Sequence, residues 1–139
     1  MARAVPLFSG SKGNSYYIGS ASEGVLIDAG RSCKQIENAM LANGLDMGSI
    51  GAVFITHEHT DHCSALRVLA KRYGFKVYSS LGTLNALRAG NKLDPNTDAD
   101  VITDEVVIGN MRVQRIDTPT MRRKAVVTVL LLPTENPHL

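Results

Sequence analysis

The sequence predicts an α/β fold, and three observations carry that expectation. Short runs of β-branched and aromatic residues, separated by Gly, Ser and Asn clusters, fill the first 30 residues. Two apolar stripes at helical spacing follow, each closed by a glycine. Between the stripes runs Ala52-Val53-Phe54-Ile55, a continuous apolar segment of strand length.

Ala4 to Phe8 is a short apolar run and predicts a strand over 4–8. Ser9-Gly10-Ser11-Lys12-Gly13-Asn14-Ser15 is a turn-rich loop, in which Ser9 and Ser11 read as turn residues. Tyr16-Tyr17-Ile18 then places a strand over 15–19, with both tyrosines as sheet residues. Val25-Leu26-Ile27 predicts a strand over 24–28 that ends at Asp28-Ala29-Gly30. Ile36, Ala39, Met40 and Ala42 share one face of a helix over 32–43, stopped by Asn43-Gly44. The central strand, over 52–56, leads into the polar stretch Thr56 to Asp61. Ala65, Leu66, Leu69, Ala70 and Tyr73 then line a helix over 62–73, stopped by Gly74. A strand over 76–79 and a helix over 82–89 follow, with Gly90 as the stop and 91–100 as loop. Strands over 101–108 and 111–117 read as a hairpin about Gly109-Asn110.

The chain of 139 residues has room for one domain. Its 44% hydrophobic and 20% charged residues exclude a disordered chain. No apolar run approaches the roughly 20 residues of a membrane span, and Met1 to Ala4 lack the apolar stretch of a signal peptide. Two cysteines, Cys33 and Cys63, make no disulfide framework; both read as small packing residues in a cytoplasmic protein. The net charge of +2 arises entirely after Asp117, from Arg122, Arg123 and Lys124 against Glu135. The body is neutral, so bulk charge points to neither nucleic acid nor an acidic membrane.

The chemistry concentrates in His57-Glu58-His59-Thr60-Asp61-His62. Three of the 4 histidines fall within this stretch, at the end of a buried strand, where α/β folds place their sites. An extended segment projects alternate side chains the same way, so His57 and His59 can grip one ion. Asp61 and His62 come as the chain turns into a helix and can face a second. Imidazole and carboxylate suit zinc first, with manganese or iron as alternatives. Two ions sharing a bridging water would supply a hydroxide at neutral pH.

On these residues the chain resembles the metallo-β-lactamase superfamily, whose signature is H-x-H-x-D-H after a buried strand. Phe8-Ser9-Gly10-Ser11-Lys12-Gly13-Asn14-Ser15-Tyr16-Tyr17-Ile18, Leu26-Ile27-Asp28-Ala29-Gly30 with Ser32-Cys33-Lys34, and Ile55-Thr56-His57-Glu58-His59 resemble the bacterial WalJ/YycJ group within it. The resemblance covers about 5–117. It implies the N-terminal half of an αββα sandwich and a centre of two divalent ions. His57 and His59 would bind one ion, and Asp61 and His62 the other, with Asp61 the catalytic carboxylate. Asp28 and Thr56 would support the metal loop from behind rather than bind metal. The group implies a DNA 5′ exonuclease acting on duplexes. Superfamily chemistry leaves two alternatives: hydrolysis of a small ester, thioester or lactam, and a non-enzymatic metal-binding remnant.

The resemblance also sets an expectation for the end of the chain. Residues 1–117 match the first half of the domain, whereas 118–139 form an atypical tail. Its apolar run, Ala125 to Leu132, carries no turn chemistry linking it to another element, and Pro133 and Pro137 follow. The group continues with further His and Asp ligands, beginning with His-Asp-Ala. Read one base out of frame from Pro119, the codons permit His-Asp-Ala and then Gly-Tyr at the group's spacing. The tail is therefore expected to be out of frame or truncated, and His138 is no substitute ligand. A chain so cut should expose one apolar sheet face and be essentially inactive.

Overall fold

The computed structural model describes residues 3–19, 23–57, 59–102, 105–108, 111–117 and 125–131. Six strands form one sheet in the order β1-β2-β3-β4-β5-β6: Arg3–Phe8, Ser15–Gly19, Gly24–Ile27, Ile50–Phe54, Lys76–Ser79 and Ala99–Val101. The first two pairings are antiparallel, and β3 through β6 pair in parallel. Parallel neighbours need crossovers, which α1 (Cys33–Ala42), the pair α2 (Thr60–Cys63) and α3 (Leu66–Tyr73), and α4 (Leu81–Ala89) supply.

Alternation along β3 and β4 builds two cores from one sheet. Leu26, Val53 and Ile55 face Ile36, Met40, Leu66 and Leu69 of the helices. Val25, Ile27, Ala52 and Phe54 face the other way, against Met111 and Val113. Nearly every one of these side chains is fully buried, which explains why β4 reads as an unbroken apolar run rather than an alternating one. Burial of each stabilises the fold by about 1.5–3 kcal/mol.

Met111 and Val113 belong to a second sheet, β7-β8-β9, of Glu105–Ile108, Met111–Asp117 and Ala125–Leu131, all antiparallel. The layers are thus helices, six-stranded sheet and three-stranded sheet. The apolar face expected to lie bare is instead covered by β7 and β8. The opposite face of this hairpin carries polar pairs: Arg112 Nε lies 3.0 Å from Glu105 Oε2, and Gln114 Nε2 donates to the same oxygen at 3.2 Å.

Most boundaries fall within two residues of expectation. A single strand over 101–108 does not form; β6 and β7 divide it between two sheets. Ile102, buried just past the end of β6, donates its N–H to Ser79 carbonyl at 3.0 Å. The apolar run of the tail forms β9, paired with β8 from Asp117↔Ala125 to Met111↔Leu131. His138, Pro133 and Pro137 lie outside the described residues, and of the tail read as out of frame from Pro119 only 125–131 is described.

Local chemistry explains the helix ends. Ser32 and Gln35 form a reciprocal capping box at the start of α1, and Ser80 accepts from Thr83 N–H at the start of α4. Gly74 closes α3 at φ 69, a left-handed conformation that glycine adopts without steric cost. Among the described residues no helix is long and apolar enough to cross a membrane. Cys33 and Cys63 are buried and form no disulfide with each other.

Candidate metal centre

The predicted helix over 62–73 breaks into α2 and α3. The break follows from where the backbone bonds go. In a continuous helix the Asp61 and His62 carbonyls would accept from the N–H groups of residues 65 and 66. Here Asp61 carbonyl accepts from Asn14 N–H at 2.6 Å, and His62 carbonyl accepts from Ala29 N–H at 2.8 Å. Ala65 N–H turns to Ala29 carbonyl at 2.9 Å, and Ser64 hydroxyl donates to Arg31 carbonyl at 2.6 Å. The loops after β1 and β3 thereby clamp the segment carrying Asp61 and His62. Gly30 sits at the closest approach, where a Cβ would overlap the Asp61 carbonyl and the Asn14 amide.

Asp28 ends β3 with a left-handed backbone, φ 64, a conformation that Asp tolerates better than most residues. Its carboxylate is 3% exposed and fully engaged. Oδ1 accepts from Thr56 N–H at 2.7 Å. Oδ2 accepts from Thr56 hydroxyl at 2.7 Å and lies 2.8 Å from His62 Nδ1. The Thr56 hydroxyl also lies 2.8 Å from His57 Nδ1.

These contacts fix proton positions. An ionised carboxylate only accepts, so the single Thr56 hydroxyl proton points at Asp28. Thr56 Oγ1 must then accept from His57 Nδ1–H, and Asp28 Oδ2 from His62 Nδ1–H. Both imidazoles thus turn Nδ1 to the protein, and Nε2 is the atom each would offer to a metal. Asp28, His57 and His62 each offer one ligand-type atom, all within 4.8 Å of one another. The His57 and His62 ring centroids are 4.7 Å apart.

Of the predicted site residues, His57 and His62 meet in this trio together with Asp28. Asp61 stands beside it, its Oδ2 3.4 Å from His62 Nε2. His59 is exposed, with its ring centroid 6.0 Å from that of His57. Asp28 and Thr56, expected behind the loop, bond to His62 and His57, and Asp28 also offers an oxygen to the trio itself. Asn14 was read only as part of a turn, yet its Nδ2 donates to Asp61 Oδ2 at 3.1 Å. Its one sequence signal is its place beside Gly13 in the opening motif.

The donor chemistry fits a divalent cation: two imidazoles held through Nδ1, and a carboxylate adjoining one of them. Residues 9–125 match the sequence profile of the Metallo-beta-lactamase superfamily. The chain belongs to the metallo-β-lactamase superfamily. Within it the chain is similar to the WalJ/YycJ relatives. It is 40% identical over 81 residues to Exodeoxyribonuclease YycJ of Bacillus anthracis, a match covering 58% of this chain and 31% of that protein. It is 38% identical over 81 residues to Exodeoxyribonuclease WalJ of Streptococcus pneumoniae, covering 58% of this chain and 30% of that one. The matched segment thus spans under a third of the curated relatives.

Solved structures show the same fold. A metallo-β-lactamase with a HARLDQ motif from Cronobacter sakazakii superposes with a TM-score of 0.75 at 22% identity, over 94% of this chain and 57% of that one. GOB-18 from Elizabethkingia meningoseptica gives 0.71 at 19% identity, over 88% and 52%.

Proposed function

We propose that these residues belong to a metal-dependent hydrolase that cleaves phosphodiester bonds of duplex DNA from 5′ ends. The observation that carries this reading is the proton wiring of Asp28, Thr56, His57 and His62, which prepares two Nε2 atoms side by side as ligands. The names of the relatives, exodeoxyribonucleases, supply the substrate class.

In this reading His57 and His59 serve one ion, and Asp61 and His62 the other. The 3.4 Å between Asp61 Oδ2 and His62 Nε2 suits two ligands on one tetrahedral ion, whose bonds of about 2.0–2.2 Å set its donor atoms roughly 3.3–3.6 Å apart. A bound zinc ion, or manganese or iron, would supply a Lewis acid and lower the pKa of water. The chain's own residues do the rest. Thr56 and Asp28 hold the imidazoles in the metal-binding tautomer, and the Asn14 and Ala29 bonds to the loop backbone keep the donors in place. We further propose that residues 1–117 are the N-terminal half of the metallo-β-lactamase-like domain.

The test is cleavage of 5′-phosphorylated duplex DNA by a version with the reading frame restored after Asp117 and loaded with zinc or manganese, beside hydrolysis of a lactam and a thioester; we propose that the 139-residue chain itself is essentially inactive. Metal-dependent release of nucleotides, abolished by His57→Ala, supports the reading. Turnover of the small substrates alone would replace it. Failure to take up metal would leave a non-enzymatic remnant.

A further inference from the structure

Asn14 precedes Asp61 by 47 residues, yet backbone and side chain both join them. Asn14 N–H donates to Asp61 carbonyl at 2.6 Å, and Asn14 carbonyl accepts from Gly30 N–H at 2.8 Å. The carboxamide is held at both ends. Its Oδ1 accepts from Gly10 N–H at 3.2 Å, while Nδ2 donates to Gly10 carbonyl at 3.0 Å and to Asp61 Oδ2 at 3.1 Å.

That arrangement has one polarity. Flipping the amide would set its oxygen against the Asp61 carboxylate and its NH2 against the Gly10 N–H, two repulsive contacts in place of attractive ones. The end facing Asp61 is therefore a neutral donor. A neutral donor orients a carboxylate and leaves its charge intact for a cation, whereas Lys or Arg at this place would compete with the cation for it. Asp61 Oδ2 is thus steered from one side by Asn14 and borders His62 Nε2 on the other.

We propose that Asn14 is a positioning residue for Asp61: it locks the carboxylate in the orientation that presents it, with His62, to a divalent cation. The inference rests on the reading of the His57–His62 loop as a metal centre. A merely structural Asn14 would act as a turn cap for Gly10, and substitution can separate the two roles. Asn14→Ser keeps a hydroxyl oxygen that can accept from Gly10 N–H but is too short to reach Asp61. Asn14→Ala removes both functions.

The experiment measures equilibrium zinc binding by the 139-residue chain, in competition with a chromophoric chelator. The variants are Asn14→Ala, Asn14→Ser, Asp61→Ala and the double variant Asn14→Ala/Asp61→Ala, each with its metal-free thermal midpoint. Both Asn14 variants are expected to weaken zinc by about 10–100-fold, the range seen when a group orienting a ligand is lost. In the Asp61→Ala background, Asn14→Ala should add less than about twofold, because a residue acting through Asp61 has nothing left to act on. Independent, multiplying losses would overturn the proposal, as would wild-type affinity in Asn14→Ser. Zinc binding that depends on Asp61 but is indifferent to Asn14 sinks this inference alone. A wild-type chain that takes up no zinc, or takes it up irrespective of Asp61, sinks the metal-centre reading and this inference with it.

Discussion

The two halves of the His57–His62 loop are held by different means. At one side, His57 and His62 bond through Thr56 and Asp28 to the ends of β3 and β4, among the most buried strands of the protein. At the other, Asp61 leans on Asn14 in an exposed Gly-rich loop, and His59 stands at the surface. One side is anchored in the core and the other in a turn. Residues adjacent in a motif can therefore differ in how far their geometry is fixed before any ion arrives.

The largest effect should come from Asp28→Ala. It removes three hydrogen-bond acceptor contacts at once and orphans the Thr56 N–H. A buried donor left unpaired costs about 1–3 kcal/mol, so urea unfolding of the metal-free chain should show a loss of at least about 2 kcal/mol. An unchanged midpoint would dissolve the contrast between the two sides. Thr56→Val is the next step down. It should cost about 1–2 kcal/mol and release the His57 tautomer, visible as a changed pattern of ring nitrogen shifts by NMR. A His57 ring still protonated only at Nδ1 in that variant would show that Thr56 does not set it.

The contrast sharpens with a matched pair. His62→Ala should destabilise the metal-free chain by about 1 kcal/mol, through its lost bond to Asp28, while His59→Ala should stay within about 0.5 kcal/mol. Equal losses would erase the distinction. Both variants should nonetheless weaken zinc. Removing zinc with EDTA should lower the thermal midpoint of the wild-type chain by mass action, and do so less in either variant.

The smallest effect serves as a control away from the loop. Tyr73 hydroxyl donates to Glu37, which also pairs with Arg72 at 2.9 Å. The Glu37 carboxylate beside it pushes the Tyr73 hydroxyl up to about 12, and the same bond holds Glu37 below the usual carboxylate range. A raised Tyr pKa stabilises the fold fully below its unfolded value near 10, and the contribution fades as pH rises through about 12. The Glu37 contribution runs the other way, present above the unfolded carboxylate pKa and lost as pH falls through the lower folded one. Tyr73→Phe should therefore flatten the midpoint-against-pH curve between about pH 10 and 12 and leave zinc affinity unchanged.

Which parts were legible in the sequence follows from the range of the forces involved. β4 and the stripes of α1 and α3 were readable because burial acts residue by residue, and Val53, Ile36 and Leu69 declare it in their own chemistry. The motif at His57–His62 was readable because ligand atoms must be particular residue types. The break at Ser64–Ala65 was not, since it depends on Ala29 and Asn14 capturing carbonyls from afar, and no local pattern encodes a distant partner. The same holds for Asn14, whose role requires the loop after β1 to lie against α2. The division of 101–108 between two sheets was hidden for a related reason: Val101 and Val106 are equally suited to a strand, and only their distant partners, β5 for one and β8 for the other, assign them to different sheets.

The backbone seam beside the loop sets its tempo. The amide protons of Asn14, Ala29 and Ala65 sit in bonds that join the β1–β2 loop, the end of β3 and the start of the second crossover. Each bond spans two elements, so each amide is released when the seam between them opens. Protection at these three positions should rise and fall together, at the rate of a shared opening rather than of loop fluctuation. The candidate centre would then be a rigid socket, with its backbone already set when an ion enters.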